Sequence, residues 1–175
     1  QEAFGEPHEG MSDGGGVPID SPQDYAELWE AARPMLVRTY AGTKNIESLA
    51  RMYEETIDIA WHALSFWWFC KIDGRGPNNV LGNLKEHLNA LKFIAASGKP
   101  FEPNVPHHFA FRGADDASYV VSGYIAAKAA KLSGIKYLIL QTMLNTPRAT
   151  WGIQDLAKAR VLLKLVRTLE DASFR

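Results

Sequence analysis

Arg112 stands at the end of the apolar stretch His107-His108-Phe109-Ala110-Phe111, directly before Gly113. A guanidinium there has to be paired, open to a cleft or bound to a ligand, because an isolated buried charge is too costly to keep. Two other places share that character. Lys71, Asp73 and Arg75 follow the aromatic run Phe66-Trp67-Trp68-Phe69, and Gln141, Asn145 and Arg148 follow the apolar Leu138-Ile139-Leu140. Arginine pairs bidentately with carboxylate or phosphate, so these residue types together point to a small anionic organic substrate. Asp115 and Asp116 come just after Arg112, and either join this site or cap the helix that begins there.

Other reactive types have plainer uses. His107 and His108 are adjacent, and on a strand neighbouring side chains point to opposite faces, so they do not readily share a metal. No His/Cys/Asp/Glu cluster has zinc spacing and H-E-x-x-H is absent, so no metal is expected. His62 beside Trp61 reads as a core histidine and His87 lies within a helical pattern. Cys70 is the single cysteine; it is either a thiol at the site or a buried inert residue. The run 66–69 could stack a planar ligand, although core packing is the commoner use of such residues, and Trp151 is the more accessible aromatic.

A parallel α/β fold would bring these residues together, because such folds bind ligands beyond the carboxyl ends of their strands. Three strand-then-helix units are expected. Strands are expected at 63–70, 107–112 and 136–141, and helices at 79–97, 116–133 and 151–171. Leu81, Leu84, Leu88, Leu91 and Ala95 form the apolar stripe of the first of these helices, and Leu156, Ala159, Leu163 and Val166 that of the last. The strands are nearly continuous in apolar character, as expected when both faces are covered. The division is therefore a Gly-rich loop region at 1–20, a helical lead-in at 21–60 with caps at Ser21 and Asn45, and three βα units with parallel strands at 61–175. A closed (β/α)8 barrel takes about 250 residues, so three units make part of a TIM-type barrel or a small open sheet. No G-x-G-x-x-G follows a strand, which removes the dinucleotide-binding version.

The totals exclude other classes. The 175 residues are 46% hydrophobic and 22% charged, with a formal net charge of -1, so no basic surplus draws the chain to nucleic acid or an anionic membrane. No apolar run reaches the roughly 18 residues that a membrane span needs. A lone cysteine and a start without a signal core fit a cytoplasmic protein. The chain does not begin with methionine, and it is expected to be an oligomer subunit or part of a longer chain.

The segments Asp73-Gly74-Arg75-Gly76, Pro106-His107-His108-Phe109, Arg112-Gly113-Ala114-Asp115-Asp116 and Gln141-Thr142-Met143-Leu144-Asn145-Thr146-Pro147 resemble, in layout, a known family. It is the catalytic barrel of cobalamin-dependent carbon-skeleton mutases, of the methylmalonyl-CoA mutase and methylaspartate mutase type. The resemblance implies an isomerase acting on a small carboxylate or acyl-CoA by a radical generated on the corrin. It also implies that Arg112 and Arg75 hold a substrate carboxylate while Gln141 and Asn145 orient it. The family's cobalamin motif D-x-H-x-x-G is absent, so the cofactor would be bound mainly by a separate domain or subunit. Two alternatives stand beside this reading. One is a barrel lyase or methyltransferase without cobalamin; the other is a non-catalytic α/β subunit whose sheet edges are completed by a partner chain.

Overall fold

The computed structural model describes residues 19–39, 45–146 and 150–175; the Gly-rich 1–18 and Arg148 lie outside the described residues. Ser21 opens the first helix. Its hydroxyl accepts from the Asp24 amide at 3.2 Å, and the Asp24 carboxylate accepts from the Ser21 amide at 2.8 Å. This reciprocal cap starts α1 (Pro22–Ala32), with Pro22 in the first turn, where its missing N–H costs nothing. The second helix, α2 (Ile46–Ile57), buries Ile46, Leu49, Ala50, Tyr53 and Ile57 at helical spacing. Asn45 precedes it in a left-handed conformation without a side-chain cap bond, and the Ile46 amide donates instead to Glu86 Oε1 at 3.1 Å.

Two short strands, β1 (His62–Leu64) and β2 (Phe101–Pro103), pair in parallel with His62 opposite Phe101 and Leu64 opposite Pro103. Parallel pairing needs a long crossover, which α3 (Val80–Ser97) supplies. Three helices follow: α4 (Val105–Phe111), α5 (Asp116–Leu132) and α6 (Gly152–Arg167). Phe101 also makes one parallel bridge to Leu138, and the Leu138 amide donates to the Arg175 carbonyl at 2.8 Å. The main core lies around β2, where Phe66, Phe101, Leu91, Ile94, Val105, Ala126, Ala130, Ile135 and Phe174 pack together.

This overturns the expected repetition of βα units in part of a TIM-type barrel. Helix makes up 54% of the described residues and their sheet has two strands of three residues, so they are helix-rich with a small parallel sheet. The stretch 107–112 is the clearest departure, with 107–111 helical in α4 and Arg112 at its C-terminal cap. Its strand lies a few residues earlier at Phe101–Pro103, a place that Pro100 and Pro103 disguise because proline removes a ladder donor. The ladder survives because the Asn104 amide donates to the Leu64 carbonyl at 2.9 Å. Pro106 then suits the first turn of α4. The expected strand 63–70 stops at Leu64, since Phe66 and Phe69 adopt positive φ of 53° and 60° and turn the chain. At 136–141 a single bridge at Leu138 is all that forms.

Two helices also sit rotated from their expected faces. On α3, Leu81 is 63% exposed while the polar Asn83 and His87 are buried with Ala90, Leu91 and Ile94. On α6 the buried side chains are Asp155, Lys158, Leu162 and Val166, whereas Leu156 and Leu163 face outward. A shift of one residue turns a helix by about 100°, and pairing of Lys158 with Asp155 at 3.2 Å makes this face tolerable inside.

Candidate functional site

The chain leaving β1 runs through a tight loop that ends at Pro77. Asp73 folds this loop onto itself. Its Oδ2 accepts from the Phe69 amide at 3.1 Å and its Oδ1 from the Cys70 amide at 3.0 Å. Gly76 passes so close beneath that a Cβ there would collide with the Phe69 carbonyl oxygen. From the other side, the Asn83 amide of α3 donates to the carbonyls of Phe66 and Trp68. Short polar side chains thus set the backbone of an aromatic segment that is neither helix nor strand.

Asp73 also collects two guanidinium groups. Arg75 donates through Nε at 2.8 Å and Nη2 at 2.6 Å, and Arg112 donates through Nη2 at 3.2 Å. Burial alone would raise the Asp73 carboxyl. The hydrogen bonds from Arg75 and from the Phe69 and Cys70 amides outweigh it and hold the group below the usual carboxylate range. Each guanidinium rests on an aromatic face, Arg75 at 3.7 Å from the centre of the Phe69 ring and Arg112 at 4.4 Å from that of Trp68.

His108 closes the inner side. Its Nδ1 lies 3.3 Å from Arg75 Nη2, and since arginine only donates, this nitrogen accepts and the proton sits on Nε2. Burial first, then the positive charges of Arg75 and Arg112, push its pKa down to about 4. The ring is therefore neutral near pH 7, and two guanidinium cations against one carboxylate leave a net positive charge. The Arg75 and Arg112 side chains are 37% and 38% exposed. Among the described residues, Arg75 Nη1 and Arg112 Nε have no protein hydrogen-bond partner. Each could donate to an anion arriving from solvent.

The remaining residues singled out in the sequence lie elsewhere or do other work. Asp115 caps α5, accepting from the Ser118 amide at 2.7 Å. Gln141 is used through its backbone, its carbonyl accepting from His107 Nε2 at 3.2 Å and from the Tyr119 hydroxyl at 3.1 Å. Asn145 belongs to a cluster at the start of α6, where its amide donates to Asp155 Oδ2 at 2.6 Å. The expected convergence of three loops is thus reduced to Asp73, Arg75 and Arg112, together with His108. The two histidines of α4 point in different directions because adjacent helical residues are about 100° apart. Among the described residues no group of three or more His, Cys, Asp or Glu side chains could hold a metal. Cys70 is buried and donates through Sγ to the Trp67 carbonyl at 3.2 Å.

Two arrangements escaped the sequence. Glu102, 3% exposed on β2, accepts from Arg38 Nη2 at 2.8 Å and Trp61 Nε1 at 2.7 Å. With its amide oriented by these neighbours, Asn104 donates to Glu102 and His107 and accepts from Arg38. His107 therefore accepts at Nδ1 and donates at Nε2, a neutral ring whose pKa is lowered chiefly by burial. The legible signal was a glutamate between Phe101 and Pro103. The second is Asn83, which nothing in the sequence marks.

The resemblance stated above implies a corrin near this site. His62, His87, His107 and His108 are all at most 5% exposed, so none offers its ring as an axial ligand at the surface. No helix among the described residues is long and apolar enough to cross a membrane. Comparison with family models, with curated proteins and with solved structures finds no match to this chain.

Proposed function

We propose that this chain binds a small carboxylate through Arg75 and Arg112 and belongs to an enzyme acting on that carboxylate. One observation carries the reading. Two guanidiniums share a buried carboxylate and lie over aromatic rings, and among the described residues each keeps a donor without a hydrogen-bond partner. Such preorganisation lowers the ordering cost of binding, and arginine suits bidentate carboxylate recognition. The resemblance to carbon-skeleton mutases supports an isomerase as the reaction class, with cobalamin carried by another domain or chain. The barrel that this family would bring is missing from the described residues, so the reading rests on the clamp and not on the fold.

Titration of the full chain with succinate, followed on the Arg75 and Arg112 Nε–H resonances, tests it. Arg112→Lys keeps the charge and loses the fork, and is expected to weaken binding by about tenfold, or 1.4 kcal/mol. Wild-type protein whose arginine resonances ignore succinate would remove the proposal.

A second reading, a non-catalytic subunit completed by a partner chain, draws support from apolar side chains left outside. Val121, Ile125 and Leu132 on α5, and Ile153 and Leu156 on α6, are all more than half exposed. Light scattering at rising concentration tests it, and a monomer throughout that folds cooperatively would count against it.

A further inference from the structure

We propose that Asn83 is the positioning residue of the Arg75–Arg112 clamp, setting the aromatic shelf on which both guanidiniums lie. The inference rests on the carboxylate-binding reading above and extends it to a side chain that touches neither arginine.

Asn83 is fully buried on the inner face of α3. A polar side chain in such a place needs partners, and its Nδ2 has two, the carbonyls of Phe66 and Trp68, the latter at 2.9 Å. Its Oδ1 has no hydrogen-bond partner. The amide therefore serves as a double donor alone, aimed at two carbonyls two residues apart. A leucine of similar volume would fill the space, leave the Phe66 carbonyl bare and leave that of Trp68 with only the Ser65 hydroxyl at 3.5 Å.

Those carbonyls belong to the segment whose backbone is least able to hold itself. Phe66 and Phe69 both have positive φ, a region that bulky L-residues rarely adopt and keep only where their surroundings over-determine it. Asn83 grips this segment at Phe66 and Trp68, and Asp73 grips it at Phe69 and Cys70. Between the two grips, Trp68 lies under Arg112 and Phe69 lies under Arg75. Asp73 is itself a member of the clamp, so Asn83 is the hold on this backbone that comes from α3, beside the Trp68 ring's own bond from Nε1 to the Val105 carbonyl of α4 at 3.3 Å. Releasing it would let both rings tilt, and the two guanidiniums would lose the arrangement they hold around Asp73. Sub-ångström placement matters here because bidentate hydrogen bonds weaken steeply with angle.

The test uses the full chain, with succinate as the probe. Asn83→Ser and Asn83→Asp are expected to weaken succinate by about tenfold and to move the Arg75 and Arg112 Nε–H resonances in the free protein. Leu91→Val, on the same helix and equally buried, is expected to lower Tm without changing succinate affinity. A merely structural Asn83 would behave like Leu91. Wild-type affinity in folded Asn83 variants, with weakened binding in Arg112→Lys, would overturn the inference and leave the clamp standing. Unchanged affinity in Arg112→Lys and Arg75→Lys as well would remove the clamp, and the inference with it. Should the Asn83 variants not fold, the wild-type protein decides. The Asn83 side-chain amide resonances are expected to shift with succinate in step with those of the arginines, and immobile Asn83 resonances beside moving arginine ones would overturn the inference.

Discussion

Arg112 Nη2 and Asp73 Oδ2 meet at 3.2 Å although 39 residues separate them in the chain. One comes from the C-terminal end of a short helix and the other from an irregular loop. Their meeting turns a local Asp73–Arg75 turn pair into a two-arginine cluster with net positive charge.

Asp73 makes the loop depend on acid. Its folded-state pKa lies below that of the unfolded chain, so its stabilisation is fully present above the ordinary value of about 4 and fades as pH falls through the lowered folded value. Asp73→Asn is therefore expected to lower Tm by several degrees at pH 7. The gap from wild type should close progressively below about pH 4 in thermal melts. A gap that persists at pH 2 would mean that the carboxylate charge is not what holds the loop.

His108 gives the same sign of pH dependence in a separate window, because here the neutral form is the one favoured. Its folded pKa of about 4 lies below the ordinary histidine value, so the unfolded chain takes up the proton first. Its contribution is fully present above about pH 6.5 and is lost as pH falls towards 4, so stability rises with pH through that range. His62, His87 and His107 are also lowered by burial and share the slope. His108→Gln is expected to flatten that slope in denaturant melts. In wild type, NMR titration of the His108 ring should find it neutral at pH 6, and a midpoint near 6.5 would contradict the burial between two arginines.

Gly76 and Gly152 form a matched contrast. A Cβ at Gly76 meets the Phe69 backbone, which cannot swing aside, while nothing lies within 4 Å of one at Gly152. Gly76→Ala is expected to cost about 1–3 kcal/mol in chemical denaturation, and Gly152→Ala within about 0.5 kcal/mol of nothing. Equal effects would show that the loop is looser than its contacts imply.

Lys158 is 1% exposed in its side chain and faces Asp155 at 3.2 Å and Asp116 at 3.4 Å. Lys158→Met removes one partner of a buried pair and is expected to lower Tm by roughly 10 °C. Adding Asp155→Asn should return part of that loss, since the uncompensated carboxylate goes with it. Strictly additive single and double variants would show that the two groups do not interact.

The helices of this chain other than α4, which was expected as a strand, were readable because their signals are local. Ser21, Asn79 and Asp115 place their side-chain oxygens on nearby amides, and Gly98 stops α3 with positive φ. The strands were not readable because three-residue strands carry no period, and the two prolines around β2 argue against pairing in any local rule. The aromatic run 66–69 resembles a strand in composition, and hydrogen bonds from Asn83 and Asp73, with a local turn from the Trp68 amide to the Ser65 carbonyl, turn it away from one.

From the sequence alone came the charged types around Asp73, Arg75 and Arg112 and the approximate starts of α1, α3, α5 and α6. Which of those residues meet was decided by the tertiary structure. It placed His108 between the arginines, sent Asp115 to a cap and tied Gln141 and Asn145 to other partners. The reason is one of range. Caps and helical stripes rest on contacts within a few residues, whereas the rotation of α3 and α6 and the path of the loop depend on buried polar groups finding partners far along the chain.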